Sequence, residues 1–175
     1  LQATPLGRRA PSRLRLGLIA SGTALLLLAA GLFAWQSQAV RTTPESFAVL
    51  VGVRSYRLPD QALDLEYTES DVDELSRVLF KQGFPRRNIK LLTQWSESDN
   101  PELAPTRENI RRQLTRVFAG CIPGDTVLVA ITGMGGDLGD PPQYCYLPAD
   151  GDPRRPNSLF TLAEFYDLFR ACPAE

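Results

Sequence analysis

Apolar residues fall along this chain in three patterns, and each predicts a different kind of element. Leu16 to Trp35 (LGLIASGTALLLLAAGLFAW) runs for twenty residues without a charge. Wound as a helix, that stretch is about 30 Å long, the thickness of a bilayer's hydrocarbon core, so a transmembrane helix is expected over 16–35. Phe47–Val53 (FAVLVGV), Asn88–Thr93 (NIKLLT) and Thr126–Ile131 (TVLVAI) are short continuous apolar runs, the mark of strands buried on both faces. Helical spacing appears three times. Val72, Leu75, Val78 and Leu79 stripe a helix from about Ser70 to Gln82, which Gly83 stops. Ile110, Leu114, Val117 and Phe118 form the inner face of a helix capped by Thr106. Leu162, Phe165, Tyr166 and Phe169 share a face of the last helix, which Thr161-Leu162-Ala163-Glu164 opens as a capping box. Gln94–Pro105 is acidic, contains prolines and has no period, so a loop is expected there. Tyr144–Leu147 reads as a brief extended piece. Strands alternating with helices imply βαβ crossovers and a mainly parallel sheet covered on both faces.

Charge orients the chain. Arg8, Arg9, Arg13 and Arg15 precede the apolar stretch and only Arg41 follows it closely. The asymmetry places residues 1–15 in the cytoplasm as a basic tail, with Leu16–Trp35 in the membrane and the folded part exported. Residues 36–46 are a polar linker and 47–175 the domain. A cleavable signal peptide is the competing reading, since Ser37-Gln38-Ala39 would pass as a cleavage site, but signal cores are usually shorter than this run. The first residue is Leu, so a processed terminus or a fragment is expected. Net charge is −1, which gives nucleic acid no reason to bind. Arg outnumbers Lys 17 to 2, the usage of a GC-rich, bacterial genome. Cys121, Cys145 and Cys172 are too few for a disulfide scaffold and show no metal-ligand spacing.

Candidate chemistry lies where the third apolar run empties into Thr132-Gly133-Met134-Gly135-Gly136. A buried strand ending in a glycine loop is where open α/β sheets place their sites. FAVLVGVRSY, LEYTESDVDEL, GFPRRNIKLLT, PTRENIRRQL, this loop and YLPADGD then follow one another in the order of the caspase/metacaspase clan of cysteine peptidases. The chain resembles that family from about Phe47 to Asp152 and beyond. The resemblance implies a caspase-like three-layer α/β sandwich with a mainly parallel sheet, and cysteine-type endopeptidase chemistry as the family's activity.

It also implies a site. Met134 occupies the position of the family's general-base His, and the chain contains no histidine. A thioether accepts no proton near neutral pH. The N–H of Gly135 matches the donor that helps stabilise the tetrahedral oxyanion. Asp71 matches an acidic residue lining the pocket for a basic substrate side chain; a first-turn Asp favouring the helix dipole is the local alternative. The family's Cys ends another apolar strand beyond the helix near Thr161. This chain reaches Glu175 before such a strand, so the domain is expected to be C-terminally incomplete. Cys172 lies seven residues after Phe165 and just before Pro173, a packing position at the helix end.

Asp137, Asp140, Asp150 and Asp152 are oxygen donors of the kind calcium takes, but their spacing fits no calcium loop. No metal and no cofactor is expected, with calcium the one open alternative. Three functions remain: a membrane-anchored pseudopeptidase that binds a peptide or protein ligand, an active endopeptidase whose Cys and base lie elsewhere, or an exported scaffold domain.

Overall fold

The computed structural model describes residues 41–58, 62–137, 139 and 143–174. The expected transmembrane helix, its basic tail and residues 36–40 of the linker lie outside the described residues. Among the described residues no helix is long and apolar enough to cross a membrane. A compact unit begins at Thr42. Its strands and α-helices are, in chain order, β1 (Ser46–Gly52), β2 (Ser55–Arg57), β3 (Ala62–Asp64), α1 (Thr68–Lys81), β4 (Ile89–Leu92), α2 (Gln94–Asp99), α3 (Arg107–Gly120), β5 (Thr126–Thr132), β6 (Gly135–Asp137), β7 (Tyr144–Tyr146), β8 (Phe160–Thr161) and α4 (Leu162–Arg170).

The three continuous apolar runs form one parallel sheet, ordered β4-β1-β5. Leu50 of β1 stands opposite Leu91 of β4 and Ala130 of β5. Side chains alternate across a strand, so the middle one feeds two cores. Val49 and Val51 pack with Ile110, Leu114, Val117 and Phe118 of α3. Ala48 and Leu50 pack with Val72 and Leu79 of α1 on the opposite face. Helix, sheet, helix is the expected three-layer arrangement, and the parallel central sheet is as the sequence predicts. A β2–β3 hairpin and a small antiparallel sheet, β6-β7-β8, flank it.

Several expectations need correction. Residues 94–105 are not a plain loop; they fold into α2 and a 3-10 turn at Pro101–Leu103. Caps make these turns, not a buried stripe, which is why no period betrays them. Thr93 Oγ1 accepts from the Ser96 N–H at 3.0 Å and Asn100 Oδ1 from the Glu102 N–H at 3.0 Å. Helix α1 starts two residues earlier than expected, and Val78 of its predicted stripe is 42% exposed. The capping box before α4 is half formed. Thr161 Oγ1 accepts from the Glu164 N–H at 3.2 Å, but the Glu164 carboxylate takes Arg107 Nη2 at 2.7 Å. On α4 only Phe165 is buried; Leu162, Tyr166 and Phe169 are 44%, 58% and 38% exposed. Cys172 lies beyond the end of α4 rather than on it, half-buried against the main core.

Strand β5 has the apolar sequence of a central strand yet is only half-buried, whereas Ala48–Gly52 of β1 are fully buried. Among the described residues its outer edge has no partner strand.

Helix α1 presses closely on the end of β1. A Cβ at Gly52 would come 2.7 Å from Thr68 O and 2.9 Å from Val72 Cγ2. Backbone cannot step aside as a side-chain tip can. Gly52→Ala is expected to destabilise the domain by about 1–3 kcal/mol through this overpacking. Urea unfolding should show a lower midpoint at unchanged slope.

Candidate functional site

Ligands of open α/β sheets bind outside the carboxyl ends of the strands, where successive crossovers depart in opposite directions. Here that place is the adjoining ends of β1 and β5. Thr132 ties them to α1: its Oγ1 donates to Thr68 O at 2.9 Å, and its carbonyl accepts from the Val53 N–H at 3.2 Å. Across the same edge, Glu69 is buried and its Oε1 accepts from the N–H groups of Gln94 at 2.6 Å and Trp95 at 3.2 Å. A buried carboxylate needs such donors. The Gln94 side chain then clasps the β1–β2 turn, accepting from Ser55 N at 2.8 Å and donating to Ser55 O at 2.9 Å.

Beyond Thr132 the chain turns through Gly133, whose φ of +150° suits glycine. Two phenols sit against it. A Cβ there would come 2.5 Å from the Tyr56 hydroxyl and 3.1 Å from that of Tyr146. The Tyr56 hydroxyl accepts from the Met134 N–H at 2.9 Å and donates to Leu147 O at 3.2 Å. Tyr146 donates to Thr132 O at 3.2 Å. Burial is the main force pushing both phenols above their ordinary pKa. Both therefore keep their protons at neutral pH and neither replaces a missing base. The sequence does not single out this pair, although Tyr56 closes the FAVLVGVRSY segment. Its signal is a tyrosine just past a buried strand, able to reach another strand's end.

Met134 is half-buried, packs against the main core and borders a cavity of about 220 Å3 with Gly135, Gly136, Asp137, Cys145, Leu147, Pro153 and Leu159. Gly135 is exposed on β6. Cys145 is half-buried opposite Gly136; burial above all raises its thiol pKa, so it is not a ready thiolate. Asp71 is exposed in the first turn of α1, three residues from the Thr68 carbonyl that holds Thr132. That link brings Asp71 and Met134 to one edge of the sheet, but Asp71 does not line the Met134 cavity. A larger apolar groove, about 470 Å3, lies between β5 and α4. Aromatic and aliphatic side chains dominate it, whereas a carbonyl-oxygen site needs N–H donors, so the smaller cavity is the candidate.

The described acidic loop residues do not gather. Asp137 Oδ1 accepts from the Gln143 N–H, Asp150 Oδ1 from the Arg107 N–H, and Asp152 from Arg154 N and Arg155 Nε. Asp140 lies outside the described residues. Among the described residues no three His, Cys, Asp or Glu side chains cluster as a metal site.

Comparison with known proteins agrees with this architecture. A solved structure from Geobacter sulfurreducens superposes with a TM-score of 0.60 at 17% identity, covering 75% of this chain and 48% of that one. At that identity the likeness concerns the fold alone. Metacaspase-1A of Aspergillus oryzae is 31% identical over 94 residues, 53% of this chain and 21% of the relative. Metacaspase-1A of Neurospora crassa is also 31% identical over 94 residues, again 53% of this chain and 20% of the relative. The chain thus spans about a fifth of the length of the curated relatives it matches. The metacaspase, peptidase C14 domain family matches residues 47–145, more than half of the chain, and this protein belongs to that family.

Proposed function

We propose that this domain is a membrane-tethered pseudopeptidase that keeps a peptide-binding cleft and uses it for recognition rather than cleavage. One observation carries the reading: a thioether, Met134, stands at the end of β5 where the family places its general base, in a chain without histidine. Thiol-dependent cleavage needs a base to form the thiolate and later to protonate the leaving amine. Met does neither, and the neighbouring phenols hold their protons. Recognition asks for less. A backbone N–H at Gly135 suits a peptide carbonyl oxygen, and a carboxylate at Asp71 suits a basic side chain. Support for the tether comes from the uncharged run Leu16–Trp35 and the arginines before it.

Three outcomes are expected. Amidase activity on Arg, Lys and Asp peptides should stay near background, with or without calcium, because acid–base groups typically contribute about 10²–10⁴ in rate. Robust cleavage by the full-length protein, lost on mutating one Cys, would mean that thiol and base are supplied from outside these residues and would overturn the reading. Asp71→Ala should weaken an Arg-containing peptide about fivefold by calorimetry, the scale of a partly exposed ion pair, and leave its neutral analogue unchanged. Equal loss for both peptides makes Asp71 a helix-end residue only. Finally, the protein should remain in the membrane pellet after alkaline washing; release of a mature form beginning at Val40 defeats the anchor.

A further inference from the structure

The β6–β7 ladder contains an irregularity that involves a side chain. Gly135 pairs with Tyr146 and Gly136 with Cys145, so continuing the register places Met134 opposite Leu147. One bond of that last pair is direct: the Leu147 N–H donates to Met134 O at 2.9 Å. Its reciprocal, Met134 N–H to Leu147 O, is not. The Tyr56 hydroxyl stands between them, accepting from Met134 N at 2.9 Å and donating to Leu147 O at 3.2 Å.

Antiparallel pairs alternate between those that exchange both hydrogen bonds and those that exchange none. With Met134–Leu147 as a bonded pair, Gly135–Tyr146 is a non-bonded one, and the Gly135 N–H points away from β7. Among the described residues strand β6 is the edge of its sheet, and no strand pairs with that side. Tyr56 is itself immobilised, being 1% exposed and part of the main core. Gly133 lets it approach, since any Cβ there would meet its hydroxyl at 2.5 Å.

We infer that Tyr56 is a positioning residue: its hydroxyl is built into the β6–β7 ladder in place of one main-chain hydrogen bond and holds the Gly135 N–H turned outward as a donor. The use of that donor for a peptide carbonyl rests on the recognition reading above; the placement of the N–H does not. Tyr56 never touches the ligand and acts through the backbone of residues 134 and 135. The same hydroxyl keeps the Met134 N–H occupied, so Gly135 is the outward donor nearest the end of β5, with Asp137, two residues on, facing the same side.

Amide exchange by NMR on the ligand-free protein tests the placement. In the wild type the Met134 amide should be protected and the Gly135 amide should exchange fast; the reverse order overturns the proposal without any variant. Tyr56→Phe keeps the ring and removes the relay. It should speed Met134 exchange at least about tenfold beyond any change in global stability, the scale of one lost buried hydrogen bond. Tyr146→Phe removes the phenol that touches the Tyr56 hydroxyl without bridging Met134 and Leu147, and should speed Met134 exchange less than Tyr56→Phe does after the same correction. If Tyr56→Phe leaves it unchanged, or Tyr146→Phe alters it equally, the relay is refuted. Calorimetry with acetyl-Ala-Ala-Arg-amide separates the two ideas. Weaker binding to Tyr56→Phe, with the expected exchange pattern, supports both. No binding even to the wild type, with the exchange pattern intact, removes the recognition reading and leaves the placement standing.

Discussion

Strand β1 is hydrogen-bonded on both edges and buried on both faces, and the remaining elements take their places from that constraint. A strand in such a position can offer no polar side chain to either neighbour layer. Phe47–Val51 accordingly carry only apolar groups, with Ala48 and Leu50 serving α1 and Val49 and Val51 serving α3. The close approach of α1 at Gly52 follows from the same crowding. It brings the first turn of α1, with Thr68, Glu69 and Asp71, to the carboxyl end of the sheet, where the candidate site forms.

At that edge the domain is organised by main-chain hydrogen bonding more than by reactive side chains. Thr132 joins β5 to α1, Glu69 and Gln94 join α2 to the β1–β2 turn, and Tyr56 joins the Gly133–Met134 loop to Leu147. Each bridge comes from a side chain that is buried or partly buried. Unpaired groups in these positions would carry a desolvation cost, so the bridges hold the loops in one arrangement. Such an edge presents fixed main-chain groups, the feature on which the proposed recognition rests.

Asp71 and Gly135 sit apart in role as well as in place. The first is an exposed carboxylate at a helix start, the second a backbone N–H on a strand edge. Thr132–Thr68 is the physical connection between them. A peptide reaching from one to the other would lie across the ends of β1 and β5, the crevice that doubly wound sheets offer.

What the chain could reveal by itself was periodicity and composition. Continuous apolar runs identified β1, β4 and β5, and helical spacing identified the cores of α1 and α3, because burial on a regular face leaves a repeating mark. The glycine loop and the substitution at Met134 were legible for a related reason: they depend on residue identity. Elements built from capping and pairing left no such mark, so α2, the β2–β3 hairpin and β6 went unseen. The shared apolar face of α4 was legible, but its exposure was not, because such spacing looks the same whether or not another layer covers it. Only the tertiary structure decided that Tyr56, nearly eighty positions before Met134, supplies a hydrogen bond to its backbone. Contacts between distant segments depend on how strands and loops come together in space, and nothing in local sequence encodes that meeting.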